Sequence, residues 1–145
     1  MTQEQKDLLL KDLCGRVSYN PKFTFGNNVY TLDGIVESVN AECVWTYCLH
    51  SKGIEPIEIE LCRPYLFPLS SMTEEQKNEC FNGTPLEIDK YGDIAVKDDF
   101  YGNSQYTDLE IYLEVIDWLN AHHFDYRSLI NKGLAIDATN LGIYK

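Results

Sequence analysis

Three groups of side chains in this chain have the types and spacing that chemistry requires. His122 adjoins His123. Cys48 and His50 share one face of a strand-like run, with Cys62 placed to lie on an adjacent strand. Carboxylates pair at Asp98-Asp99, at Glu58 with Glu60, and at Asp117 with Asp125. Neighbouring positions on a helix point about 100° apart, and two metal ligands on one helical face need an i, i+4 spacing that the histidine pair lacks. A helix-end role fits it better, because imidazoles interact favourably with the carbonyl end of the dipole and His123 falls on an apolar row where it can bond a backbone oxygen. Cys48, His50 and Cys62, with His122 or His123, form the best ligand set for a small metal-dependent hydrolase. No CxxC accompanies them, so buried or half-buried thiols are the favoured reading. Nothing sets an apolar wall against the carboxylate pairs to shift a pKa, and they read as a solvated face. Ser70 and Ser71 lack nucleophile-elbow glycines, and neither GxxxxGK[ST] nor GxGxxG occurs. No catalytic residue, metal or cofactor is assigned, and an enzyme is the less favoured class.

Recognition is the stronger alternative. Tyr65 and Phe67 stand in a proline-bracketed segment, and Phe100 and Tyr101 sit in a polar, glycine-containing loop beside Asp98 and Asp99. As lids they cover the core. As a site, they and the cations Arg63 and Arg127 line a groove that grips a planar ligand or a partner's side chain. The charge of −11, from 12 basic and 23 acidic residues, argues against direct nucleic-acid binding, which needs basic clusters to displace counterions. Acidity serves solubility first; its sharper use is to meet a basic protein partner. A nucleotide-like small molecule would draw on Arg16, Lys22, Arg63, Lys97 and Arg127.

The elements that must position these residues follow from periodicity. Thr107 and Glu110 have capping-box spacing, and the helix they open carries one apolar row through Leu109, Tyr112, Leu113, Ile116, Leu119 and His123. Ile111, Val115 and Trp118 form a second row, which predicts a rod buried over more than half its circumference, around which the strands wrap. Asp125 is expected to cap a short helix, Tyr126 to Lys132, stopped by Gly133. An opening helix is expected over 2–13, capped by Thr2 with Gln5 and ended by Gly15. From 16 to about 66 the period drops to two. In that region Asp33-Gly34 reads as a tight turn or a bulge, and Cys43, Trp45, Tyr47 and Leu49 are expected to face the core, with Cys48 and His50 more exposed. Ile57, Ile59 and Leu61 predict a half-buried strand. Arg63 to Pro68 is expected to leave the sheet, since prolines cannot donate to a ladder. A capping box at Thr73 and Gln76 predicts a helix to Phe81. Leu86 to Val96 reads as a hairpin, and Leu134 and Ile136 as a last strand before a fraying tail.

At 145 residues the chain is expected to be a single domain, 1–145, of α+β class. Its sheet is small, antiparallel and partly barrel-like (about 16–66), packed with an N-terminal helix and a helical C-terminal third. The charged N-terminus does not read as a signal peptide, no apolar run reaches membrane-spanning length, and five unevenly spaced cysteines suit reduced thiols in a cytoplasmic setting.

Three stretches carry a resemblance: YLFPLSSMTEEQKNE at 65–79, WLNAHHFDYRSLINKGLAIDA at 118–138, and the opening KDLLLKDLCGRV. They resemble a family of small uncharacterised proteins of gut Bacteroidales genomes, phages and prophages. The resemblance implies a phage or mobile-element origin and the cytoplasm of the host cell, and it supplies no catalytic residue. The expected function is that of a non-enzymatic accessory protein that binds a host factor, with counter-defence as one form. Sequestration of a nucleotide signal and metal-dependent hydrolysis are the alternatives.

Overall fold

The computed structural model describes residues 1–39, 44–50, 55–97 and 109–144. Helix α1 spans Gln3–Arg16 and opens on the expected capping box, the Thr2 hydroxyl accepting from the Gln5 N–H and the Gln5 side chain accepting from the Thr2 N–H. Its buried stripe is Leu9, Asp12, Leu13 and Arg16, the i, i+3, i+4, i+7 pattern of a core-facing helix. Gly15 does not end the helix. Arg16 has to stay helical to stand one turn above Asp12, and Gly15 allows a close approach, since a Cβ there would meet the Asn120 amide at 3.4 Å.

Five strands follow: β1 Lys22–Phe25, β2 Asn28–Val39, β3 Val44–His50, β4 Ile57–Glu58 and β5 Arg63–Pro68. A two-residue turn with Gly26 at φ 60° joins β1 to β2. The Asp33-Gly34 pair is a bulge, where the β2–β3 register shifts between Leu32 and Gly34. That extra residue reverses the alternation, so Tyr30, Leu32 and Ile35 face the core while Val36 faces out. Ile35 opposes Cys48 and Val36 opposes Tyr47, and opposed residues share a face. The expected phase of β3 is therefore inverted. Cys48 is fully buried, whereas Trp45 is 42% exposed and Leu49 also reaches solvent. Helix α1 covers only one face of the sheet, and it is the face of the small thiol.

Strand β5 corrects a second expectation. It stays in the sheet, pairing antiparallel with β1 at Arg63 and Pro64, then parallel with β9 (Ile136–Asp137) at Tyr65 and Leu66 and with β8 (Phe124–Asp125) at Phe67 and Pro68. The bonds that continue the sheet use non-proline groups: the Phe67 N–H donates to His123 O at 2.9 Å, and the Ala138 N–H donates to Leu66 O at 2.8 Å. Prolines are tolerated because no ladder bond here depends on their missing donors. Where the β1–β5 register would next pair Lys22 with Tyr65, the Tyr144 hydroxyl intervenes, accepting from the Lys22 N–H at 2.9 Å and donating to Tyr65 O at 2.8 Å. The tail does not fray here; it is stitched into the sheet.

The described strands form a seven-stranded sheet in the order β4-β3-β2-β1-β5-β8, with β9 on β5, and the sheet is open. The α+β class is observed. Helix α2 (Glu74–Phe81), with its Thr73/Gln76 capping box, and the β6–β7 hairpin (Leu86–Ile88, Ile94–Val96) form as expected. Ile57, Ile59 and Leu61 do not make one strand, because a 3-10 turn over Ile59–Leu61 follows β4 and turns Leu61 outward.

Helix α3 (Leu109–Ala121) buries Val115, Leu119 and Asn120, and Ile116 and Trp118 are half-buried. Leu109 and Leu113 are 69% and 56% exposed, and Thr107 and Asp108 lie outside the described residues. It is not the rod that the strands enclose. The described residues form two cores instead. One lies between α1 and the sheet, with Leu9, Leu13, Phe23, Leu32 and Leu66 in it; the other gathers α2, α3 and β6 around Met72, Phe81, Val115, Leu119 and Phe124.

Arg16 joins them. Its Nε and Nη2 donate to the two Asp12 carboxylate oxygens at 2.7 and 3.0 Å, and Nη2 also donates to Phe124 O at 2.7 Å. Arg127 Nε lies 3.5 Å from Asp12 Oδ1, an ion-pair contact without hydrogen-bond geometry. Both guanidinium groups flank the Tyr126 ring, at 5.3 and 4.9 Å from its centroid. Asp125 accepts from the backbone N–H groups of Arg127, Leu129 and Ile130. The expected cap is real, but the helix after it is not: Ser128 sits at φ 58°, and residues 126–133 are turns. Removing one partner of a buried pair leaves an uncompensated charge. Asp12→Ala is expected to lose about 3–5 kcal/mol in urea unfolding, and Asp12→Leu with Arg16→Met to recover part of it; a loss under about 1 kcal/mol for the single variant contradicts this role.

His123 ends α3 at φ 62° and stacks on Tyr144, centroids 3.9 Å apart. The helix-end bond falls to His122, whose Nδ1 donates to Trp118 O at 2.8 Å, while His123 Nδ1 has no hydrogen-bond partner among the described residues. Burial, then the positive charge of Arg16, hold the His123 pKa down at about 4. An unfolded histidine near 6.5 takes up its proton first, so stability is complete above that pH and declines as pH falls from about 6.5 to 4. His123→Asn, which tolerates the left-handed backbone, should flatten the slope of the urea midpoint across that window; an unchanged slope contradicts the assignment.

Candidate functional site

Of the expected site residues, those that are described, Tyr65, Phe67, Arg63 and Arg127, do not gather in one groove. Tyr65 is buried in β5, and Phe67 packs between Phe124 and Tyr144, each 5.8 Å away; both serve the core. Arg63 stands at the end of β5 that pairs with β1, where its Nη1 donates to Glu60 O and Cys62 O. Arg127 follows β8, at the opposite end of β5, and is engaged with Asp12 and Tyr126. Asp98, Asp99, Phe100 and Tyr101 lie outside the described residues. Of the cations offered to a nucleotide, Arg16 is fully buried in its ion pair.

Cys48 and Cys62 do meet. Both are fully buried, and the Cys62 thiol reaches Glu58 O at 3.5 Å. The adjacent Cys48 thiol and then burial push the Cys62 pKa up. His50 turns elsewhere, its ring 4.7 Å from that of Tyr30 and its Nε2 3.3 Å from Glu55 O. Among the described residues no group of three His, Cys, Asp or Glu side chains could hold a metal. The thiols fill core volume, and the raised Cys62 pKa opposes thiolate chemistry there.

What the fold brings together instead is an apolar surface on the β2–β3 ribbon. Val29, Val36 and Leu49 are large and exposed on the face opposite Cys48, with Tyr47 among them, and Trp45 on the same face reaches the edge where it lines a groove with Gln3, Lys6 and Leu10 of α1. Leu49 lies over Gly34, 3.4 Å from where a Cβ would stand. An antiparallel sheet ordinarily turns polar residues to water on its uncovered face, so the apolar set is the departure that needs explaining. Adjoining it is a groove of about 480 Å³, walled by Phe25, Tyr30, His50, Ile57 and Leu61, with Glu55 and Glu58 at its edge. The Trp-Thr-Tyr-Cys-Leu alternation held the signal for this surface. Hydrophobicity alone sends the larger side chains inward, and the bulge that sets the phase is decided by pairing with β3.

No helix among the described residues is long and apolar enough to cross a membrane. Burial and the Glu79 charge raise the Cys80 pKa to about 12, and Cys48 and Cys62 are buried as well. Cys14 is exposed, so of the four described thiols it alone is expected to react with an aromatic disulfide reagent in the native protein, and Cys48, Cys62 and Cys80 only in denaturant. Native labelling of Cys62 at the Cys14 rate would contradict the packing described. Compared with protein-family models, curated proteins and solved structures, the chain finds no match in any of the three.

Proposed function

We propose that this protein acts by binding, without a reaction of its own, a protein of the cell in which it is made, as a phage or prophage accessory factor. The carrying observation is the uncovered apolar face of β2 and β3, with Val36, Trp45 and Leu49 in solvent. Leaving such a face wet forgoes about 25 cal/mol for each Å² that a partner would cover, and patches of this kind mark interaction sites. A charge of −11 steers the molecule toward basic partners and sets it against a second copy of itself. The resemblance of its two longer runs to phage and prophage proteins supports the cellular setting, and blocking a basic nucleic-acid site on a host defence factor is the form of binding that the charge favours.

Val36→Ser with Trp45→Ser removes the apolar face at positions already in solvent. Wild-type protein immobilised in host lysate is expected to retain a basic protein that the double variant holds at least about tenfold less well and that elevated salt releases. Identical retention by both proteins, or release insensitive to salt, would overturn the proposal.

A further inference from the structure

We infer that the groove between β4, the end of β3 and the β1–β2 turn receives one large aliphatic or aromatic side chain of a protein partner, with a lysine or arginine next to it in the partner's chain. This inference rests on the proposed binding function and names the chemistry of the segment bound.

Two of the groove's walls are apolar side chains that the fold puts in water. Strand alternation would carry Leu61 inward with Ile57 and Ile59. The 3-10 turn over Ile59–Leu61, closed by the Cys62 N–H on Ile59 O at 3.1 Å, instead sends it out, where it is 51% exposed. Phe25, beside the Gly26 turn, is 38% exposed. The floor is held in place from behind: Tyr30 stacks on buried Phe23 at 5.6 Å and meets His50 on its other side. A wall already fixed in its bound arrangement loses little side-chain entropy when a ligand arrives. At about 480 Å³ the groove falls in the ~300–1,000 Å³ range of pockets that enclose a compact group.

Charge selects the occupant. Glu55 and Glu58 line the groove, and no lysine or arginine does so among the described residues. An apolar side chain fills the floor while a neighbouring cation meets the carboxylates, a pairing that sets specificity and association rate more than affinity. Another copy of this chain, carrying the same −11, would bring acid against acid. A free anion such as a nucleotide would meet the same repulsion.

Short synthetic peptides with a central leucine or tryptophan between lysines test this directly, titrated into isotope-labelled full-length protein and followed by amide NMR. They are expected to shift Phe25, Tyr30, His50 and Leu61 saturably. Peptides with glutamates in place of the lysines, or serine in place of the central residue, should bind at least about tenfold more weakly. Leu61→Asp should abolish the shifts while leaving the urea midpoint unchanged, and Glu58→Gln should weaken the lysine peptides alone. Any one of these results would overturn the inference: no saturable shift with any peptide, equal binding of lysine and glutamate peptides, shifts centred on Val36 and Trp45, or a concentration-dependent dimer lost in Leu61→Asp. A basic host protein that depends on Trp45 but is retained by Leu61→Asp would defeat this inference and leave the proposed function standing.

Discussion

A single guanidinium group holds the two halves of this molecule in register. Arg16 is fully buried and bonds both the carboxylate one helical turn behind it and the carbonyl of Phe124, so the core beneath α1 and the core around α3 meet through a charge with no access to water. Apolar contact is non-directional and would tolerate sliding between two such cores. A bidentate ion pair is not tolerant, because burial of each charge is offset only when the geometry is met. Three further constraints converge on the same place: the Asp125 cap, the guanidinium groups on Tyr126, and the left-handed His123 that turns the chain from α3 into β8.

From that fixed point the sheet is built outward in both directions. Strand β5 changes partner along its length, and Tyr144 supplies, with one hydroxyl, the bridge between Lys22 and Tyr65 that the β1–β5 ladder would otherwise lack. Among the described residues the far side of the sheet has no comparable cover. There the β2 bulge chooses which residues are left outside, and it leaves Val36 against Tyr47. Rigid, cross-linked structure at one end and an uncovered apolar ribbon at the other is the division expected of a scaffold that presents a surface.

Local signals in the sequence were sufficient for local features. The capping boxes at Thr2 and Thr73, the hairpin around Gly92 and the bulge alternative at Asp33-Gly34 depend on residues a few positions apart, and each stands in the structure. What was not legible depends on distant partners. Gly15 stays helical because Asp12 and Phe124 need Arg16; Ser128 breaks a well-capped helix because the Asp125 carboxylate gathers three N–H groups in a turn. The phase of β3 follows from α1 covering one face only, which hydrophobicity along the strand does not encode. For the site, the sequence offers Tyr65 and Phe67 both as groove residues and as lids, and their packing in β5 depends on strands β8 and β9 far along the chain, whereas Leu61 joins Phe25 and Tyr30 in a groove only because a 3-10 turn redirects it.

Hydrogen exchange in an Arg16→Lys variant tests the central claim most directly. Lysine keeps the charge but cannot engage Asp12 in two bonds while reaching Phe124 O. The amides of Phe67, Leu129, Ile130 and Ala138, all bonded within the region that Arg16 anchors, are expected to lose protection, while those of the β2–β3 pairs keep theirs. Unchanged protection at Phe67 and Leu129, or an equal loss throughout β2 and β3, would contradict the account.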